Sequence, residues 1–332
     1  MNDQTLNPDK IYKIRNAARL TAAMLAAMEL DLFSPLENGP MDTKHLASSL
    51  GVNAEKLGPL LYALVFHGLL REEDALFSNT TETAAFFVQG KDTFIGEYYK
   101  IWKNNLLAAL KTAETIKTGK PQAKYDWRNL PKDKLEELMD GMAADDVARA
   151  HWLSSKYDFS ECRTLLDAGC GSGRLAIAMT QIHPLLSATV FDFPEVTPIT
   201  EKAVINANAQ DRVKVLSGDL TVDPVPGKYD AAFLNSIIQV ISADEARKVI
   251  NNVGKMVNPG GWLYIFGSGI MQDSRLAPQA AVDINLILIN VYDHGQSFTE
   301  SEHRAWLEEA GFGKIIFNYD KPIIVAQKQL EV

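Results

Sequence analysis

A chain of 332 residues, 46% of them apolar and with a formal net charge of −9, is long enough for two domains of ordinary size, each with its own core. The acidic balance argues against a nucleic-acid partner, because phosphate binding draws on clustered Lys and Arg. No stretch reaches the length of an apolar membrane span and no basic-then-apolar leader follows Met1-Asn2-Asp3-Gln4, so no membrane partner is expected. The two cysteines, Cys162 and Cys170, offer neither a disulfide framework nor a metal spacing, which fits a reduced, cytoplasmic setting.

Residues 5–30 read as a helix rich in Ala and Met that runs into Glu29-Leu30-Asp31-Leu32-Phe33. After the break at Pro40, the segments Asp42 to Ser49 and Asn53 to His67 read as helices and Leu69 to Phe77 as a small β wing, which is a winged-helix pattern. Winged helices often bind DNA, but the only basic residue of the second helix is Lys56, where a DNA reader needs several. The apolar surplus of residues 16–33 fits a buried interface helix instead. Residues 91–155 read as helical, with the aromatics Phe94, Tyr98, Tyr99, Trp102, Tyr125 and Trp127 followed by Leu138-Met139-Asp140-Gly141-Met142. Aromatics at helical spacing usually pack in a core. A domain boundary is expected near Asp158 to Thr164, which divides the chain into residues 1–90, a helical linker 91–160, and 161–332.

The most telling stretch is Leu165-Leu166-Asp167-Ala168-Gly169-Cys170-Gly171-Ser172-Gly173, an apolar strand passing through an acid into three alternating glycines and then a helix. Glycines let backbone approach a ligand closely, and the amides that open the following helix attract an anionic or carboxylate group. Dinucleotide folds use a similar turn, so it does not name a cofactor. The strict G-x-G-x-x-G pattern fails at Arg174, leaving the weaker Gly171, Gly173, Ala176. Further strands are expected at Ser187 to Val190, ending in Phe191-Asp192-Phe193-Pro194, at Val213 to Ser217, ending at Gly218-Asp219, at Tyr229 to Asn235 and at Gly261 to Phe266. A closing hairpin is expected from Ile315 to Asn318 and Ile323 to Ala326. Asp192 then stands at a strand tip, where ribose hydroxyls are commonly held.

A parallel sheet with helical crossovers that finishes in an antiparallel hairpin separates the S-adenosylmethionine methyltransferase fold from the nicotinamide one. From about residue 10 to its end the chain resembles the small-molecule O-methyltransferases typified by plant phenol, bacterial polyketide and acetylserotonin methyltransferases. The resemblance implies an α/β fold: a class I methyltransferase Rossmann-like sheet with its C-terminal hairpin, preceded by a mostly α winged-helix domain that serves dimerisation, hence a homodimer. It implies S-adenosyl-L-methionine as cofactor, with Asp167, Gly169, Gly171 and Gly173 at its methionine end, Asp192 at the ribose, Gly218, Asp219 and Leu220 at the adenine, and Asn235 beside it. It also implies a small-molecule acceptor, in a site roofed by the helical stretch, with Trp102, Met139, Met142, Gln239, Asn285 and Tyr292 as lining residues.

Methyl transfer from a sulfonium is an in-line displacement that requires alignment and exclusion of water. A phenol acceptor, with a pKa of about 10, must also lose a proton, and a positioned base helps by roughly a hundred to ten thousandfold. In this family the base is a His in a motif resembling L-K-x-x-x-H-D-W. Here the aligned stretch begins Leu234-Asn235-Ser236-Ile237-Ile238-Gln239-Val240-Ile241, so Gln239 stands at the position of the base. A carboxamide does not accept a proton at physiological pH. Either the acceptor needs no deprotonation, as with a thioether sulfur, an ionised carboxylate or an activated carbon, or another residue acts, or no methyl is transferred.

Asp283 and His294 are the candidates for a replacement, in a region the resemblance places beside the acceptor; Asp283 and Asn285 look like the family's D-x-N pattern. Thr299 is the expected cap of the next helix, and Phe298 stands where an Arg is common. No metal is expected, because Asp283 and Asn285 lack a third clear ligand. The acceptor favoured by the missing base is a methylthio acid such as 4-methylthio-2-hydroxybutyrate. An O- or C-methyltransferase of a secondary metabolite or pigment, a cofactor-binding regulator without catalysis, and a nicotinamide enzyme stand as alternatives.

Overall fold

The computed structural model describes residues 7–91, 93–124, 129–223 and 225–330, so the expected aromatics Tyr125 and Trp127 lie outside the described residues. The chain divides into two compact units, Met1–Lys103 and Asn104–Val332.

The first unit opens with α1 (Asp9–Glu29), followed by α2 (Thr43–Leu50) and α3 (Ala54–Phe66). A two-stranded wing of β1 (Leu70–Glu73) and β2 (Leu76–Asn79) comes next, then α4 (Thr81–Phe86). Asp42 caps α2 by accepting from the Lys44 and His45 amides, and Asn53 caps α3 through Lys56. Asp74 and Ala75 both take positive φ, 51° and 62°, which is what a two-residue hairpin turn requires. Leu32, Phe33, Leu46, Leu61, Leu64 and Phe77 are fully buried at the centre of this unit. The near half of α1 is not: Ile11 and Ile14 are each 67% exposed.

Helix α5 (Tyr99–Ala109) crosses the unit boundary in sequence, and α6 (Thr112–Thr118), α7 (Lys132–Met142) and α8 (Asp146–Lys156) follow. Helix α6 ends at Gly119 in a left-handed cap, and α7 begins after Pro131. The sheet-forming part then alternates β3 (Thr164–Ala168), α9 (Arg174–Ile182), β4 (Ser187–Asp192), α10 (Thr197–Asn206), β5 (Val213–Ser217), β6 (Tyr229–Asn235), α11 (Ala243–Met256) and β7 (Val257–Phe266). It continues with β8 (Ile270–Met271), α12 (Gln279–Val291), β9 (Phe298–Thr299), α13 (Glu300–Glu309), β10 (Phe312–Asn318) and β11 (Ile323–Lys328).

Seven strands form one sheet in the order β10-β11-β7-β6-β3-β4-β5. Pairings from β5 to β7 are parallel, and β11 and β10 add antiparallel to β7. Alternate side chains feed two cores, as a sheet covered on both faces demands. Leu165, Val190 and Phe233 pack with α8 and α9 on one side, and Leu166, Leu234 and Ile265 pack with α11 and α13 on the other. Helices α11 and α13 each start in a reciprocal capping box, Ser242 with Glu245 and Thr299 with Glu302. Thr299→Ala removes the α13 cap and is expected to lower stability by about 1 kcal/mol. A urea titration checks it: the midpoint should fall at unchanged slope, and an unmoved midpoint refutes the role.

The first strand, β3, lies between β4 and β6, so the strand order reverses direction at the β3–β6 boundary. In open α/β sheets that is where ligands bind, outside the carboxyl ends of the strands.

Candidate active site

At that point β3 delivers Asp167, 1% exposed, and the chain turns at once through Gly169, Gly171 and Gly173, whose φ values are 78°, 54° and 73°. The turn is clasped from the next strand. The Gly171 and Phe193 amides donate to the two carboxylate oxygens of Asp192, each at 2.7 Å, and the Gly169 amide donates to the Phe191 carbonyl at 2.8 Å. Thr200 on α10 closes the other side, its hydroxyl donating to the Gly171 carbonyl at 2.6 Å. Gly169 tolerates no side chain: a Cβ there would stand 2.6 Å from Cγ1 of Ile237. Ile237 reaches this place because Ser236, directly after β6, bends the backbone with a φ of 60°.

Three carboxylates gather around the turn. Burial lifts Asp167 to about 8, with the neighbouring charges of Asp146 and Asp192 adding to it, and lifts Asp192 to about 6 against the pull of the Gly171 and Phe193 amides. Burial also lifts Asp146 to about 6, opposed by the guanidinium of Arg149. Arg149 Nη1 donates to Asp146 at 3.1 Å and to Asn235 Oδ1 at 2.9 Å, so α8 is tied to the end of β6. Among the described residues three buried side-chain atoms lack a hydrogen-bond partner, and two of them, Asp167 Oδ1 and Ser172 Oγ, flank this turn. No group of three acidic, His or Cys residues among the described residues is arranged to hold a metal ion. What the turn offers is a buried carboxyl and a hydroxyl with unmet hydrogen-bonding capacity around a bare backbone, a site built for a polar ligand group.

The remaining expected residues fall in several places. Gly218 and Asp219 follow β5, and Asp219 accepts from the Thr221 amide and hydroxyl at 2.9 and 2.6 Å, while Leu220 is buried beneath the sheet end. Met139 on α7 is buried, with its sulfur 3.6 Å from where a Gly171 Cβ would be; Met142 is 43% exposed. Gln239 sits in the short turn after β6, half-buried, where its carbonyl accepts from the Gln296 amide at 3.0 Å. Asn285 on α12 is half-buried and holds the same loop, accepting from the Ser297 amide at 2.7 Å. Asp283 is exposed and accepts from Gln279 at 3.1 Å. Tyr292 is half-buried at the end of α12, and His294 is exposed, adding a smaller share to the Ser242 hydrogen bonds that hold Glu245 below the ordinary carboxylate range. Trp102 belongs to the first unit, where it stacks on Tyr98 with 5.6 Å between ring centroids and packs against that unit's core.

Asp146, Arg149, Ser172 and Thr200 also meet at this turn, although no sequence motif assigns them there. Only the Asp146–Arg149 spacing of three on a helix offered a signal.

A family model of the O-methyltransferase domain matches residues 117–313, and one of the O-methyltransferase dimerisation domain matches residues 12–90. The chain belongs to the O-methyltransferase family. It is an S-adenosylmethionine-dependent methyltransferase of the class I fold, and the nicotinamide alternative falls. The chain is similar to the 3-hydroxy-5-methyl-1-naphthoate 3-O-methyltransferase of Streptomyces sahachiroi, 28% identical over 303 residues that cover 89% of this chain and 86% of that one. It is also similar to the N,N-dimethyltransferase OxyT of Streptomyces rimosus, 25% identical, covering 91% and 90%. The human N-acetylserotonin methyltransferase, solved with S-adenosylmethionine, shares the fold with a TM-score of 0.84 at 20% identity, covering 99% of this chain and 100% of that one.

The glycine turn fits the cofactor of this family. Asp167 Oδ1 and Ser172 Oγ are the buried groups without partners, and burial raises Asp167 to about 8 and Asp146 to about 6, so a cationic ligand set against them favours their ionised forms.

Proposed function

We propose that this methyltransferase transfers a methyl group to a small-molecule acceptor of secondary metabolism without a histidine base, the acceptor arriving with its nucleophilic lone pair already free. In this reading Asp167, Ser172 and the turn Gly169, Gly171, Gly173 hold the amino-acid end of the cofactor, Asp192 its ribose, and Gly218, Asp219 and Leu220 its adenine, with Asn235 positioned by Arg149. When bound, S-adenosylmethionine supplies an electrophilic methyl on a sulfonium sulfur. The protein's part is to orient the acceptor and exclude water, which accounts for large rate factors without proton transfer. Met139 and the Gln239, Asn285 and Tyr292 side chains line the acceptor side, with Met142 and Asp283 completing it. The homodimer rests on the match to the dimerisation domain and on the exposed apolar residues of α1.

The observation that carries this reading is Gln239. Its position is the one from which the family's base works, and its amide has no basic atom. Two acceptor chemistries follow. The name of the naphthoate 3-O-methyltransferase supports O-methylation of an aromatic hydroxy acid, which fits the base-free reading where the hydroxyl reaches the site already ionised. The absent base supports S-methylation of a thioether acid such as 4-methylthio-2-hydroxybutyrate, whose sulfur has no proton to lose.

A transfer assay with labelled cofactor against thioethers, thiols, carboxylates, phenols and amines, read by product mass, tests the proposal. At saturating cofactor the wild-type rate should be flat between about pH 6 and 9, and His294→Ala should stay within a few-fold of it. A rate that falls with a protonation near the ordinary histidine value and disappears in His294→Ala would make His294 the base.

A further inference from the structure

The carboxamide of Gln239 is held in one orientation. Its Oε1 accepts from the Gly269 amide at 2.7 Å, and two glycines after β7 make room for it. A Cβ at Gly267 would stand 2.5 Å from Oε1, and one at Gly269 would stand 2.5 Å from Gln239 Cβ. The opposite flip would set the amide NH2 against an N–H donor, so the backbone decides which end is oxygen. Nε2 has no partner among the described hydrogen bonds, and it is not one of the buried atoms lacking a partner, so it faces solvent or ligand. Gln239 lies two residues from Ile237, which rests on Gly169 of the cofactor turn, and its backbone carries Gln296 of the loop after α12.

We infer that Gln239 is a specificity-determining residue that presents two N–H donors to a carboxylate of the acceptor, next to the atom that receives the methyl. This rests on the base-free reading above and deepens it. A neutral oxygen accepts from these donors more weakly than a charged one, so the side chain separates an acid from its ester. The reacting atom itself must keep its lone pair free, so the oxygen bound is a neighbour of it. An anionic oxygen is the best partner for these donors, since charge-assisted hydrogen bonds are about twice as strong as neutral ones.

Binding to the complex with S-adenosylhomocysteine, which carries no methyl to transfer, tests this apart from turnover. The probes are matched pairs: 3-hydroxy-1-naphthoate with its methyl ester, salicylate with methyl salicylate, and 4-methylthio-2-hydroxybutyrate with its methyl ester. At least one acid should bind about tenfold or more tighter than its ester, the usual worth of a hydrogen bond to a charged group. That preference should collapse in Gln239→Leu and in Gly269→Ala, which displaces the amide without removing it. S-adenosylhomocysteine should still raise the melting temperature of both variants as in wild type, which shows that they fold. Equal binding of every pair, no binding of any acid, or a preference that survives both variants overturns the inference. A preference lost as expected, together with no methyl transfer to any acid, supports the inference and sinks the functional reading instead.

Discussion

Asp167→Asn lowers affinity for S-adenosylmethionine by about a hundredfold while making the cofactor-free protein more stable. Both effects follow from the same atom. Asp167 is buried at the end of β3 with Oδ1 unpartnered, raised further by the charges of Asp146 and Asp192 and opposed by Arg149. Removing a buried charge partner from a cationic ligand costs roughly 2–5 kcal/mol, which brackets the hundredfold loss. The stability gain depends on pH. Burial lifts Asp167 from its ordinary 3.8 to about 8, so between those values the folded, cofactor-free state holds a proton that the unfolded chain has released. Stability from this group is therefore fully present below about pH 4 and declines as pH rises toward 8. Asp146 and Asp192 act in the same direction up to about 6. Asparagine is indifferent to that window, so the variant's advantage in melting temperature should be small at pH 5 and several degrees at about pH 8. Calorimetry should also show fewer protons released on binding. Equal melting curves at both pH values, or unchanged affinity, would refute the role given to Asp167.

Gly169→Ala is expected to be at least as damaging, through geometry rather than charge. A φ of 78° costs an alanine about 1–2 kcal/mol, and the new methyl meets Ile237 Cγ1 at 2.6 Å, an overpacking term of about 1–3 kcal/mol. The turn is also bound to Phe191 through the Gly169 amide, so relief by backbone movement breaks a hydrogen bond of 2.8 Å. Denaturant titration should show the loss of stability. Adding Ile237→Ala separates the two terms: it should recover the clash and leave the backbone strain, giving a partial rescue. Full rescue would mean that the φ carries no cost, and no loss in the single variant would mean that the turn is not rigid.

Much of this arrangement was legible in the chain. Val213–Ser217 and Tyr229–Asn235 are strands with the bounds their apolar runs suggest, because each is stopped by a polar or glycine-containing turn. Strand β7 begins at Val257 rather than Gly261, since α11 passes straight into it and a register shift opposite Tyr229 and Ala231 absorbs the Pro259-Gly260 bend. The long helical stretch was readable as helix but not in its breaks. Asp146 and Arg149 could not be placed, because an acid at a helix start reads as a partner of the helix dipole. Its neighbourhood with Asp167 and Asn235 exists only once α8 packs on the sheet. The Gln239–Gly269 bond was hidden for the same reason: the two residues are 30 positions apart, joined by the adjacency of β6 and β7.

Asp192 has a consequence for how this protein could change. The carboxylate that the family pattern assigns to the ribose is also the clasp of the glycine turn, one oxygen on Gly171 and the other on Phe193. A substitution there that retuned the choice of nucleoside would at the same time release the loop. Where Asp192 also holds the ribose, a change of coenzyme at this strand tip carries the added cost of loosening the turn, a constraint that the acceptor side does not share.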